Sequence, residues 1–231
     1  MSFFEDLKNN RDKQIMAISI VFFVLAFPIY FGLAAAGADE GGGLNAVNMY
    51  EVTGEVTYIE IAAGDEFIAD GDTLTIDDLH TDSIDDAEDL NIIGVRISMS
   101  YGEDEQESGA CPTGGPSADT VTGVINHLEY TNSGTGNNDE GSGTHEVSIE
   151  WVNTSLIGEV VVMSKAEIIE QVDAQGEGIG TYSGEISVEA NAGPSTPLIC
   201  QRSDGGEEVS YVIELVVFDY DIRPFFDLEE L

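Results

Sequence analysis

A single apolar membrane helix followed by a mainly-β domain outside the membrane is the architecture that this chain of 231 residues predicts. Two patterns predict it: a long uncharged stretch near the start, and apolar residues that alternate with polar ones through much of the remainder. A third observation completes the argument. Hydrophobic residues make up 42% of the chain, enough to build a core despite the heavy charge.

Residues 1–13 form a short stub containing Lys8, Arg11 and Lys13, and from Gln14 to Ala38 no residue is charged. At about 1.5 Å rise per residue this run covers roughly 37 Å as a helix, which exceeds the ~30 Å hydrocarbon layer. Pro28 lies inside it, and a transmembrane helix tolerates proline with a local bend. Tyr30 stands toward the far end, where a ring sits well among headgroups. Three basic residues precede the run and the next after it is Arg96, so the positive-inside rule places the N-terminus in the cytoplasm and residues 39–231 outside. The lipid bilayer is thus the partner expected for residues 14–38. Cleavage is the alternative, because Ala34-Ala35-Ala36 and Ala36-Gly37-Ala38 both fit a small-x-small pattern, although the run is longer than the ~7–15 residues of a signal core. The basic end, Gln14 and the long apolar run also resemble the leaders of archaeal pilins, which would imply a filament subunit. Asp12 and Lys13 occupy positions where such leaders carry a basic and then a small residue.

Residues 39–48 are a Gly-rich tether, and residues 49–231 read as one antiparallel β-sandwich of about eight strands with one short helix. Val52, Val56 and Tyr58 alternate with Glu51, Thr53, Glu55 and Thr57. The same period of two recurs through Ile93, Val95, Ile97, Met99 and Tyr101, through Val147, Ile149 and Trp151, and through Ile186 and Val188. Runs at 121–130, 156–163 and 209–218 are more evenly apolar and read as centrally placed strands. Residues 131–143 hold no apolar side chain and read as a mobile loop between two strands of a hairpin. Ser164-Lys165-Ala166-Glu167 is a capping box, followed by Ile168, Ile169 and Val172 at helical spacing and a stop near Gly176. The two cysteines, Cys111 and Cys200, pair naturally as one disulfide in an oxidising compartment. Phe225 and Phe226, after the last strand, read as a cover for a sheet edge or a contact for a partner, the alternative being a simple cap on the core.

The formal net charge is −38, from 7 Lys+Arg against 45 Asp+Glu. Such a chain repels the phosphate backbone, so nucleic acid is excluded as a partner. Dispersed over loops and outer strand faces, the carboxylates resemble the surfaces of salt-adapted archaeal proteins. Two denser readings compete. Calcium, which needs several hard oxygen ligands, is the one cofactor the residues suggest, through Asp70, Asp72, Asp82, Asp85 and Asp86. A carboxylate pair could instead serve an envelope glycan hydrolase. Catalytic motifs are otherwise missing: His145-Glu146-Val147-Ser148-Ile149 lacks the second histidine of a zinc helix, and Gly176-Glu177-Gly178-Ile179-Gly180-Thr181 lacks the last glycine of a dinucleotide loop. His127 reads as a hydrogen-bonded strand residue and Trp151 as packing between sheets. Asn153-Thr154-Ser155 is a glycosylation sequon, with Asn153 the acceptor. The expectation is therefore a single-pass envelope protein whose sandwich is a structural or binding module rather than an enzyme. Its partner would be another envelope protein or a further copy of itself.

Overall fold

The computed structural model describes residues 49–102, 106–111, 117–138 and 141–225. The expected helix 14–38 and tether 39–48 lie outside these residues. Among the described residues no helix is long and apolar enough to cross a membrane. Eleven strands and one α-helix are present among them, besides three short 3-10 turns: β1 (Met49–Ala69), β2 (Thr73–His80), β3 (Ile92–Gly102), β4 (Gln106–Gly109), β5 (Thr120–His127), β6 (Tyr130–Asn137), β7 (Ser142–Glu150), β8 (Val160–Val162), α1 (Lys165–Val172), β9 (Thr181–Glu189), β10 (Cys200–Ser203) and β11 (Gly206–Pro224). The chain divides into two compact units, the larger made of Val52–Glu159 and Ile169–Asp221. The described residues of the smaller unit are 49–51, 160–168 and 222–225.

In the larger unit one sheet runs β7-β3-β11-β1 and a second runs β2-β9-β5-β6, with β4 and β10 forming a separate two-stranded ribbon. The pairings of β3 with β7 and β11, and of β5 with β6 and β9, are antiparallel. Alternation decides what faces inward. Val95, Ile97 and Met99 of β3, Val147 of β7 and Val209, Ile213 and Leu215 of β11 form the inner face of the first sheet. Val121 and Ile125 of β5 meet them from the second sheet, with Tyr182, Ile186 and Val188 of β9. Most of these side chains are fully buried, so the two inner faces share one core.

The expected strands at 51–58, 93–101, 146–151, 185–189 and 209–218 are all present, and several run longer than the alternation suggested. The count of about eight is corrected upward for three physical reasons. First, β2 carries a register break between Ile76 and Leu79, where Asp78 adopts a left-handed φ of 60°, so its apolar residues fall out of step with a period of two. Second, β4 and β10 are four-residue strands whose pairing is stapled by the Cys111–Cys200 disulfide, with a Cα–Cα distance of 4.7 Å. Third, most of the expected loop at 131–143 is strand, since residues 131–137 belong to β6 and 142–143 to β7.

That third correction has a steric cause. Gly136 of β6 and Gly143 of β7 press on the Tyr101 ring, and a Cβ added at Gly136 would collide with the Tyr101 hydroxyl and with His145 Nδ1. Small residues let β6 approach the first sheet, so the strand needs no apolar side chain of its own. At the β5–β6 turn, His127 is buried, as expected of a bonded strand residue. Its ring nitrogens lie 3.0 Å from the Thr181 carbonyl oxygen and 2.7 Å from that of Glu177, and its ring stacks on Tyr182 with centroids 4.0 Å apart. Trp151 packs beside it at 5.0 Å and donates its indole N–H to the Ile92 carbonyl at 2.9 Å, which matches the packing role expected of it.

The smaller unit is built around the start of β1. Met49, Tyr50 and Glu51 pair with Val162, Val161 and Val160 of β8, and the Phe225 amide donates to the Met49 carbonyl at 2.8 Å. The capping box forms as its spacing predicts. The Ser164 amide donates to Glu167 Oε2 at 2.8 Å, and the Glu167 amide donates to Ser164 Oγ at 3.2 Å. These bonds hold the Glu167 carboxyl below the usual carboxylate range. Phe225 lies beside the start of β1. It is 37% exposed, and its backbone rather than its ring secures it to Met49.

Candidate functional site

The outer face of the first sheet carries the polar half of the same alternation that buries Val95, Ile97 and Met99. Register sets its side chains in rows: Thr144, Ser100 and Ser210 in one, Glu146, Ser98 and Val212 in the next, Ser148, Arg96 and Glu214 in a third. Because nearly all the residues in the first two rows are short, they leave shallow cavities of ≈ 420 Å³ and ≈ 460 Å³. The first is lined in part by Ser98, Thr144, Glu146 and Val212, the second in part by Gly102, Ser142 and Glu208.

Arg96 closes one end of this trough. Its Nε donates to Glu214 Oε2 at 2.8 Å and its Nη1 to Glu146 Oε2 at 3.1 Å, while its guanidinium lies 3.5 Å from the centroid of the Tyr58 ring. One cation is thus shared between two carboxylates. Ser98 Oγ adds a bond to Glu146 Oε2 at 3.3 Å. On the β1 side Ser210 Oγ donates to Asp65, which fixes Asp65 on the outer face and places Phe67, two residues on, there too. Tyr58 and Phe67 are 47% and 58% exposed. The face therefore combines exposed aromatic rings, a bed of hydroxyls and fixed carboxylates. That set can stack against and hydrogen-bond an uncharged polar ligand and repels a polyanion.

Tyr101 and His145 back the trough from the core side, with the Tyr101 hydroxyl 3.2 Å from His145 Nδ1. Burial pushes the His145 imidazole below its ordinary range, opposed in part by the Gly134 backbone. The folded chain then binds this proton more weakly than the unfolded chain, so the histidine's contribution is intact above the ordinary titration near pH ~6.5 and fades as pH falls through that value. A His145→Phe variant is expected to flatten the stability-versus-pH curve on the acid side of pH ~6.5, measured by urea melts. An unchanged slope would remove His145 from the account.

The sequence-predicted ligands separate. Asp70 and Asp72 flank the β1–β2 turn, where Asp70 Oδ1 accepts from the Ala190 amide at 3.0 Å. Asp82, Asp85 and Asp86 follow the other end of β2, an eight-residue strand that spans roughly 25 Å. The two groups thus lie at opposite ends of β2, and among the described residues no group of three or more His, Cys, Asp or Glu is arranged to hold a metal ion. Asp82, Asp86, Glu88 and Asp89 line a cavity of ≈ 350 Å³ with Thr81, Ile84, Ala87 and Ile179. At the sequon, Asn153 is exposed, its Nδ2 donates to Gln171 Oε1 at 2.9 Å, and its Oδ1 accepts from Ser155 Oγ at 2.6 Å.

Sequence reasoning missed the trough because it followed only the apolar positions. The signal was in the intervening ones: Ser98 and Ser100 in β3, Thr144, Glu146 and Ser148 in β7. It also missed a buried clasp in which Asn138 Nδ2 donates to Asp119 Oδ2 at 2.9 Å and to Glu207 Oε1 at 2.8 Å, joining the end of β6 to the start of β11. The chain matches no protein-family model and no curated protein.

Proposed function

We propose that this chain is a single-pass envelope protein that displays its acidic, disulfide-stapled sandwich outside the membrane as a binding module, with the trough on β7, β3 and β11 as the contact face. The observation that carries the reading is that face: hydroxyl rows between exposed Tyr58 and Phe67, on a rigid sheet. Its two closest acidic residues by register, Glu146 and Glu214, are both engaged by Arg96, which suits a fixed surface better than a pair free to exchange protons. The uncharged run at 14–38 and the Lys8, Arg11 and Lys13 that precede it support the address, and the disulfide suits an oxidising compartment. Any calcium contribution falls to the loop at 81–89, and melts with and without chelator measure it, since an ion that binds only the folded chain raises the midpoint.

Two measurements test the reading. A nonspecific protease added to intact cells is expected to release a fragment containing both Cys111 and Cys200; complete protection would place the sandwich on the wrong side. Capture of envelope material by the full chain is expected to weaken when Tyr58→Ala and Phe67→Ala are combined, and equal capture would take the binding role away from this face. Mass spectrometry of the mature N-terminus separates the filament alternative, because a start at Gln14 would favour it and an intact Met1 or Ser2 would end it.

A further inference from the structure

The strands at the margins of the two sheets are not finished alike. On one side β6 and β7 cover each other, and Asn132 Nδ2 of β6 donates to the Ser148 carbonyl of β7 at 2.8 Å. The Ser133 amide, also on β6, donates to Asn132 Oδ1 at 2.9 Å. On the other side β2 is a marginal strand with a register break between Ile76 and Leu79, and a break of this kind discourages a further strand from pairing. Mutual cover, side-chain bonds and an irregularity thus blunt β2, β6 and β7.

The margin of β1 is different. Its pairing with β8 covers only Met49, Tyr50 and Glu51, with two further bonds from Val52 to Gly158 and Glu159. From Thr53 to Ala69, among the described residues, β11 is the one strand paired with β1. It lies along one side of that stretch, since Gly54 meets Asp219 and Tyr220 at one end and Gly206 meets Ile68 and Ala69 at the other. A strand directs its N–H and C=O groups to both sides, so the opposite side of β1 presents a row of donors and acceptors along roughly 55 Å of chain.

Charge selects what can use that row. Glu55, Glu60, Asp65 and Glu66 are exposed along the stretch, and the sequence holds no Lys or Arg between Lys13 and Arg96. A second β1 pairing with the first would bring this acidic set alongside an identical one, which is unfavourable. The same residues attract a strand that carries cations. Arg96 shows the preference within the chain, because it reaches from β3 to two carboxylates and rests against Tyr58 of β1.

We propose that the margin of β1 from Thr53 to Ala69 is a strand-addition site for an extended segment of another protein bearing Lys or Arg at alternate positions. The backbone of that segment continues the first sheet and supplies affinity, while its cations meet Glu55, Glu60 and their neighbours and supply the choice of partner. One sign of charge then does two things: it refuses a copy of the same strand and admits a basic one. The site is the backbone rim of the sheet, whereas the trough is made by side chains of its outer face.

The test uses the full chain in nanodiscs of uncharged lipid and a short extended peptide that alternates lysine with threonine. Hydrogen exchange followed by mass spectrometry is expected to slow at 53–69 when the peptide is added, and to change little in β3 and β7. Methylating every backbone nitrogen of the peptide keeps its charge and removes its donors, and is expected to abolish the protection. A peptide with glutamate in place of lysine is expected to give none. Glu55→Lys combined with Glu60→Lys is expected to weaken binding of the lysine peptide roughly tenfold, as reversal of two cross-strand charge contacts requires. Exchange at 53–69 that does not respond to the lysine peptide overturns the proposal. Equal protection by the methylated peptide would mean charge attraction without strand addition, and overturns it too. Protection at 53–69 that grows with protein concentration alone would mean that a second copy covers the margin, again against the proposal. The trough is judged by its own capture measurement, which none of these outcomes touches.

Discussion

Replacing both Cys111 and Cys200 with serine is expected to lower stability by about 4–5 kcal/mol, the chain-entropy cost of releasing a loop of this length. The two residues are 89 apart in sequence. For a domain of this size the thermal midpoint should then fall by roughly 10–18 °C. The local architecture explains why little would compensate. All four residues of β4 are exposed, so that strand has no core contact to keep it in place, and its pairing with β10 covers only four positions. Within the ribbon Arg202 faces Glu107 across the ladder, yet an ion pair half open to solvent contributes too little to replace a covalent link. Calorimetry of the serine variant measures the drop, and hydrogen exchange should locate the first opening at 106–109 and 200–203. A midpoint that does not move would show that the ribbon is held by something other than the staple.

The second large effect is expected at the centre of the core. Ile213→Ala should cost about 3–5 kcal/mol, near the upper end for removing a buried aliphatic side chain. Ile213 is completely buried on β11, and it reaches across to Gly184 of the opposite sheet, where a Cβ would stand 3.1 Å from its Cδ1. That glycine matters because the opposing strand offers no side chain that could relax into the space. Ile97 also approaches the same point, so the vacated volume is bounded by rigid strands on both sides. Equilibrium urea unfolding measures the loss. A cost near ~1 kcal/mol would mean that the sheets close over the gap. Gly184→Ala in the same background is expected to recover part of the loss by filling the space from the other side.

How far the fold was legible in the sequence follows from which forces wrote it. Strands with one buried and one solvated face print their period on the residues, and β3, β7 and β9 were found where that period lies. The capping box of α1 was readable for a similar reason: two short-range bonds demand two residue types at fixed spacing. The disulfide needed only the count of cysteines. What stayed hidden depends on contacts distant in sequence. Nothing in residues 131–137 reveals that their small side chains are an accommodation to Tyr101 and His145. Asp78 breaks the alternation of β2 without ending the strand, so the pattern concealed the strand that separates Asp70 and Asp72 from Asp82, Asp85 and Asp86. The trough was half visible, because its hydroxyls occupy alternate positions in strands already identified, but its rows appear only once register aligns Thr144 with Ser100 and Ser210.

The length of β1 has a mechanical meaning. Its 21 residues make roughly 70 Å of extended chain that begins at Met49, and it lies beside β11, itself 19 residues long. A pull applied at Met49 would run along β1, across the direction of its hydrogen bonds, which run perpendicular to the strand. The load is then shared by many bonds in shear and is not presented to one pair at a time, as it would be if a hairpin were peeled from its tip. A load taken at that end of β1 is therefore resisted by the ladder as a whole.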